Sequence, residues 1–197
     1  MAYNQKDYYF QKAKKENFAA RSVFKLEEID KRFRIIKPGD KILDLGAAPG
    51  SWAQYSSRKI GKSGRILGID LQPIKITLPN AVFIVADMLD VNLVQIMADK
   101  GIEAPFDVVL SDMAPKTTGI KITDQTRSFE LSQLALAIAE KYLRKSGYFV
   151  CKLFQGGDFE GYRKKLVSRF ERVEILRPQS TRKESKEIFF IGLKFRG

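Results

Sequence analysis

From residue 41 onward, short and nearly unbroken apolar runs alternate with longer stretches of helical period, and this alternation restricts the fold more than any other feature of the chain. Lys41-Ile-Leu-Asp-Leu45, Arg65-Ile-Leu-Gly-Ile-Asp70, Ala81-Val-Phe-Ile-Val85, Phe106-Asp-Val-Val-Leu-Ser111 and Tyr148-Phe-Val-Cys-Lys152 have the length of strands. They are apolar at both odd and even positions, as strands are when helices cover both faces of a parallel sheet. The clearest helix is expected over Asp124 to Arg144. There Leu131, Leu134, Ala135, Ile138 and Tyr142 recur at helical spacing, and Lys145-Ser-Gly147 closes the run. Two last runs, Arg172-Val-Glu-Ile-Leu176 and Glu187-Ile-Phe-Phe-Ile-Gly-Leu193, are separated only by the stretch from Arg177 to Lys186. So short a connection has no room for a crossover helix, and the pair is expected to be antiparallel. The fold expected is α/β: a mostly parallel seven-stranded sheet with a C-terminal antiparallel strand and helices on both faces. Residues 7 to 33 read as two short helices ahead of it.

A chain of 197 residues is long enough for one domain with a substantial core, and residues 1–197 are expected to form one, with 1–37 as a basic helical N-terminal extension. Cys151 is the one cysteine, which excludes an internal disulfide and a thiolate metal cluster. Histidine is absent, so no metal is called for, and proton transfer must run through Lys, Asp, Glu or Tyr. No apolar stretch approaches the roughly 20 residues of a membrane span, and a cytoplasmic protein is expected.

The net charge is +12, and it is unevenly spread. Basic residues outnumber acidic ones ten to five over 1–37 and fifteen to six over 141–197, while the middle, 38–140, has ten against twelve. A basic excess confined to the two flanks points to a polyanionic partner, nucleic acid first.

The turn Gly46-Ala-Ala-Pro-Gly50 follows the first strand and places glycine where backbone can approach a ligand closely. A tight strand-to-helix turn would look the same. The dinucleotide pattern G-x-G-x-x-G is not present, since position 48 is alanine and Pro49 intervenes, which speaks against a pyrophosphate cradle. Asp70 closes the second strand, where a carboxylate accepts from ribose hydroxyls, and Asp87 follows the third, placed to accept from an exocyclic amine. Together they describe an adenosine site without phosphates, which fits S-adenosylmethionine better than NAD. Asp44, inside the first strand, is expected to orient the turn through backbone hydrogen bonds.

Ser111-Asp-Met-Ala-Pro115 ends the fourth strand, the place from which open α/β sheets present catalytic groups. It lacks the aromatic clamp of enzymes that methylate base amines. Lys152 ends an apolar run, where a lysine is costly unless paired or functional, and Glu187 opens the neighbouring strand from which it could meet that lysine. Lys25, in Arg21-Ser-Val-Phe-Lys25, lies on an amphipathic helix and by itself would be a surface charge.

With these stretches in view, the chain resembles the FtsJ/RrmJ family, also called RlmE, of ribosomal RNA 2′-O-ribose methyltransferases. The resemblance is carried by Lys12 to Leu26, Asp44-Leu-Gly-Ala-Ala-Pro-Gly-Ser-Trp52, Gly68-Ile-Asp-Leu71, Val109 to Pro115, Phe149-Val-Cys-Lys-Leu-Phe154, and Arg177-Pro to Ser185-Lys-Glu187. It implies a Rossmann-like class I methyltransferase fold and S-adenosyl-L-methionine as cofactor, contacted by Gly50, Trp52, Asp70, Asp87 and Asp112. It implies a catalytic tetrad of Lys25, Asp112, Lys152 and Glu187, with Lys152 as general base. A nearby cation at Lys25 and partial burial favour the neutral amine this role needs, whereas Asp112 and Glu187 oppose it and are expected to orient the lysines. The implied substrate is a uridine in the A-loop of 23S rRNA within the large ribosomal subunit, with no membrane and no obligate protein partner, the protein acting as a monomer. Phosphate contacts are expected from Lys12, Lys14, Lys15, Arg21 and the Arg177 to Lys186 loop, and Tyr8, Tyr9 and Phe10 could stack on a base. The same reaction on tRNA or an mRNA cap, a non-catalytic ribosome assembly factor, and a nicotinamide dehydrogenase are the competing readings.

Overall fold

The computed structural model describes residues 5–156 and 159–197. Two helices, α1 (Gln5–Lys15) and α2 (Val23–Phe33), precede the alternating region. That region runs β1 (Lys41–Leu45), α3 (Ser51–Ile60), β2 (Arg65–Asp70), β3 (Ala81–Val85), α4 (Leu93–Asp99), β4 (Phe106–Ser111), α5 (Lys121–Tyr142), β5 (Leu143–Phe154), α6 (Phe159–Arg169), β6 (Phe170–Leu176) and β7 (Glu187–Phe195). Among the described residues, seven strands form one sheet in the order β3-β2-β1-β4-β5-β7-β6. The first five pair in parallel, and β7 runs antiparallel to both β5 and β6. The order reverses between β1 and β4, so a crevice opens at the carboxyl ends of those strands.

Side chains of alternating parity enter two apolar layers. Leu43, Leu45, Leu67, Val109, Phe149 and Phe190 pack with α4, α5 and α6 on one face. Ile42, Ile66, Val108, Leu110, Val150 and Phe189 pack with α2 and α3 on the other. These strands bury both faces, which is why their sequences read as unbroken apolar runs.

Two boundaries differ from the sequence expectation. Helix α5 begins at Lys121 rather than at Asp124, because Asp124 lies one turn inside and accepts from Thr118 N at 2.7 Å and Gly119 N at 3.2 Å, holding the incoming loop. The helix ends at Tyr142 instead of Arg144. Leu143 is already extended and pairs with Phe106, the register shifts, and Ser146 turns with φ 61° before Tyr148 pairs with Val108. Residues 145–147 therefore lie within β5 and do not close a helix.

Helix α2 is tied to the sheet layer by Asp30, which is almost wholly buried. Its carboxylate accepts from Ile36 N at 2.9 Å and from the Tyr55 hydroxyl at 2.8 Å. Burial and this carboxylate hold the Tyr55 phenol well above its usual value. The position of Lys25 on α2 is thus set by buried contacts on the following turns.

Candidate active site

Strand pairing decides which polar side chains meet. Asp44 pairs with Leu110, Leu110 with Val150, Lys152 with Phe189, and Phe154 with Glu187. Paired residues share a face, so Lys152 and Glu187 both point to the side covered by α2 and α3. Asp112 follows β4 directly and donates its own N–H to Leu45 O at 3.1 Å.

The four charged residues form two ion pairs. Lys152, 7% exposed, donates from Nζ to the Asp112 carbonyl at 2.5 Å and pairs with Asp112 Oδ1 at 2.9 Å. The approach to Oδ1 is that of an ion pair, outside the geometry of a directed hydrogen bond. Lys25 pairs with Glu187 at 2.5 Å, its side chain mostly buried, and its ammonium lies 5.8 Å from the centre of the Phe189 ring. The sequence suggested that Glu187 would meet Lys152. Glu187 instead stands two residues along β7 from the partner of Lys152, and α2 brings Lys25 within its reach.

On the α5 side of the crevice lies a cavity of about 380 Å³. Asp70 and Asp87 line it along with Leu71, Met88, Leu131 and Leu134. Gly46 and the segment Met113–Lys116 complete its inner wall. Asp70 also holds the glycine turn: Oδ2 accepts from Ala48 N at 2.9 Å and Oδ1 from Gln72 N at 2.8 Å. Asp87 Oδ1 accepts from Leu89 N at 2.9 Å. Gly46 has φ +76°, and a Cβ there would come within 2.8 Å of the Met113 backbone, so only glycine lets the β1 turn and the β4 loop approach this closely. Met113 faces this cavity while its neighbour Asp112 grips Lys152. The two halves of the site therefore meet at one peptide.

Gly50 and Trp52 lie outside the cavity lining. A Cβ on Gly50 would strike the Ile76 side chain at 2.3 Å. Trp52, 3% exposed, packs against Phe189 at 5.7 Å between ring centres and donates from Nε1 to Ser22 O at 2.9 Å. Ser22 O also accepts from Lys25 N at 3.0 Å, and Ser22 Oγ lies 2.8 Å from Ser51 Oγ. The first turn of α3 thereby grips the start of α2, which presents Lys25. The sequence contains no sign of this link.

Asp44 differs from its expected part. It does not orient the turn by accepting hydrogen bonds. Both carboxylate oxygens are buried and have no hydrogen-bond partner among the described residues. Burial, with the Asp112 and Asp70 carboxylates adding to it, pushes Asp44 up to about 8. The half-buried Leu131 and Leu134 were legible as a helical stripe, but not as cavity wall, since core and cavity use the same apolar periodicity.

The basic flanks come together. Arg21 Nη2 donates to Ser180 O at 2.6 Å, and Gln179 N donates to Glu28 at 2.8 Å, joining α2 to the β6–β7 loop. Lys12 lies over Phe24 at 4.4 Å, and Tyr9 packs against Phe24 at 5.5 Å, while Tyr8 and Phe10 are exposed.

A parallel sheet reversing at β1/β4, an apolar nucleoside-sized cavity at the strand ends and an antiparallel β7 between β5 and β6 define a Rossmann-like methyltransferase. A model of the FtsJ-like methyltransferase family matches residues 18–195, and the chain belongs to that family. It is 58% identical over 193 residues to ribosomal RNA large subunit methyltransferase E of Bdellovibrio bacteriovorus, covering 98% of each chain. It is 51% identical to the protein of the same name in Oleidesulfovibrio alaskensis, over 98% of this chain and 93% of that one. Among solved structures, a ribosomal RNA methyltransferase of Plasmodium falciparum superposes with a TM-score of 0.80 at 28% identity, over 91% of this chain and all of that one. Fibrillarin of Aeropyrum pernix, solved with S-adenosyl-L-methionine bound, shares the fold at a TM-score of 0.56 and 19% identity, over 81% of this chain and 68% of that one.

Proposed function

We propose that this protein transfers the methyl group of S-adenosylmethionine to the 2′-hydroxyl of a uridine in the 23S rRNA of the large ribosomal subunit, acting as a monomer in the cytoplasm. The observation that carries the reading is the buried Lys152, held through Nζ by both the carbonyl and the carboxylate of Asp112, whose neighbour Met113 lines the cavity. The relatives named as ribosomal RNA methyltransferases support the substrate class.

The residues present fit the cofactor. Asp70 and Asp87 supply acceptors for hydroxyls and an exocyclic amine, and Leu71, Met88, Leu131 and Leu134 supply apolar surface for a base. When bound, the cofactor supplies an electrophilic methyl group on a sulfonium.

The protein's own part is to position a weak nucleophile and take its proton. A neutral alcohol gains reactivity as its proton is withdrawn. Lys152 as a neutral amine has two N–H groups and one lone pair. The Asp112 carbonyl accepts from one N–H and fixes the amine, which leaves the lone pair for the hydroxyl. Lys25, its charge balanced by Glu187, keeps further N–H groups with which to hold a substrate oxygen. Holding nucleophile and methyl carbon in line supplies much of the rate.

The test is transfer of a tritiated methyl group to undermethylated large subunits, with tRNA, naked rRNA and a Lys152→Ala protein run in parallel. Label at one nucleotide that resists alkaline cleavage is the expected result. Lys152→Ala should lose turnover while binding S-adenosylmethionine as the wild type does in calorimetry. Label on tRNA alone, or full turnover by Lys152→Ala, would overturn the proposal.

A further inference from the structure

Where α4 meets α5, on the face of the sheet away from α2, a groove of about 430 Å³ lies open at the surface. Met88, Val91, Leu93, Val94, Ile138 and Tyr142 are among the residues that line it. Leu93, Ile138 and Tyr142 are buried and make an apolar floor, whereas Val94 is 56% exposed and Ala137 stands open on α5. A valine so placed gains little from the core beneath it, and exposed apolar side chains beside a buried apolar floor mark a contact surface. Asn92 fixes the helix end that carries Val94, its side chain accepting from Gln95 N at 3.2 Å.

Charge sets this face apart from the rest of the chain. Over residues 87–103, Asp87, Asp90, Asp99 and Glu103 stand against Lys100 alone, in a protein whose net charge is +12. All four acidic residues are exposed, and among the described residues none of them is in an ion pair. Asp99 accepts from Gln95 Nε2 at 2.7 Å, a neutral donor that leaves its charge uncancelled. The lining's own cation, Lys141, lies over the Tyr142 ring at 5.2 Å. Carboxylates gathered without counter-charges repel one another; a cationic occupant relieves that repulsion, and RNA would add to it.

We infer that this groove docks a lysine- or arginine-rich protein segment with apolar side chains, contributed by a protein of the large ribosomal subunit. The inference rests on the function proposed above and adds a protein contact to its RNA substrate. Proteins that lie among RNA helices must offset phosphate charge, so the segments they extend are basic. Such a segment matches the groove twice over. Its apolar side chains cover Val94 and the floor, while its cations face Asp90, which directly precedes Val91, and Asp99, on the same helix as Val94. The sheet also keeps two tasks apart. Helix α4 follows β3, the edge strand at the opposite end of the sheet from β6, whereas the basic β6–β7 loop lies with α2. An enzyme that grips RNA at one end and protein at the other recognises an assembled subunit rather than RNA alone.

The experiment uses purified undermethylated large subunits and, in parallel, naked 23S rRNA. A protein with p-benzoylphenylalanine in place of Val94 is irradiated on each, and crosslinked peptides are read by mass spectrometry. A crosslink to a lysine- or arginine-rich segment of a subunit protein is expected. Crosslinks to rRNA, to an acidic segment or to a second copy of the chain, or none from enzyme bound to subunits, would overturn the docking site. Filter binding of an Asp90→Lys/Asp99→Lys protein gives a second readout whose sign depends on the partner. Two added lysines should tighten binding to naked rRNA yet weaken binding to subunits roughly ten-fold. Subunit binding that stays the same or tightens would sink the inference. S-adenosylmethionine affinity should keep its wild-type value in both altered proteins, which shows that they are folded. Enzyme that crosslinks as expected yet methylates no RNA would instead overturn the proposed function.

Discussion

Replacing Asp44 with asparagine tests whether a neutral carboxyl lies at the centre of the site. Burial and two neighbouring carboxylates push Asp44 up to about 8, against about 3.9 in an unfolded chain. Between those values the folded protein holds a proton that the unfolded chain has lost. Stability from this group is therefore complete below about pH 4, declines by about 1.4 kcal/mol per pH unit through the window, and is gone above about pH 8. From pH 6 to pH 9 the loss integrates to ~3 kcal/mol, which is roughly 5–10 °C in Tm for a chain of this size. The interval is unusually clear of other side chains. The protein has no histidine, and burial pushes the Cys151 thiol up to about 12. Asparagine cannot ionise. In scanning calorimetry without cofactor, wild-type Tm should fall between pH 6 and pH 9 by roughly 5–10 °C more than that of Asp44→Asn. Parallel pH profiles would mean that Asp44 is already ionised in the fold, and the reasoning from its burial and missing partners would be refuted.

Three further expectations concern the same region. Asp70→Ala removes the acceptor for Ala48 N along with a cavity carboxylate, so the KM for S-adenosylmethionine should rise roughly 10–100-fold, with kcat affected less; an unchanged cofactor affinity would defeat the ribose assignment. Trp52→Phe removes the N–H that holds Ser22 O and with it one constraint on the Lys25 turn. It should destabilise the protein by about 1–3 kcal/mol in urea titrations and lower kcat while cofactor affinity changes little; the reverse pattern would assign Trp52 to the cofactor. Gly46→Ala forces a Cβ to within 2.8 Å of the Met113 backbone at a positive φ. A loss of about 1–3 kcal/mol and weaker cofactor binding are expected, and wild-type values in both measurements would show that the two loops have room to part.

How much of this was legible beforehand follows from the range of each interaction. The limits of β1, β2 and β4 coincide with their apolar runs, because a strand buried on both faces carries its burial in its own composition. The end of α5 is not legible in the sequence, because Leu143 and Arg144 suit a helix as well as a strand, and pairing with Phe106 and Asp107 decides between them. Asp70 and Asp87 were visible as acidic strand ends, and the structure brings both to the cavity. The partners of the lysines were not visible. Whether Glu187 reaches Lys152 or Lys25 depends on the β5–β7 register and on where α2 docks, neither of which a linear spacing encodes.

By itself the sequence determined the α/β alternation, the antiparallel end of the sheet, the excess of positive charge on the flanks and the residue types able to move a proton in a chain without histidine. These are properties of composition and local period. Tertiary structure alone decided that Lys152 belongs to Asp112 and Lys25 to Glu187, that Trp52 serves Ser22, that Asp44 finds no hydrogen-bond partner among the described residues, and that Arg21 reaches Ser180. Each of these depends on contacts between residues far apart in the chain, and only the packing of helices onto a registered sheet brings such residues within hydrogen-bond or Coulomb range.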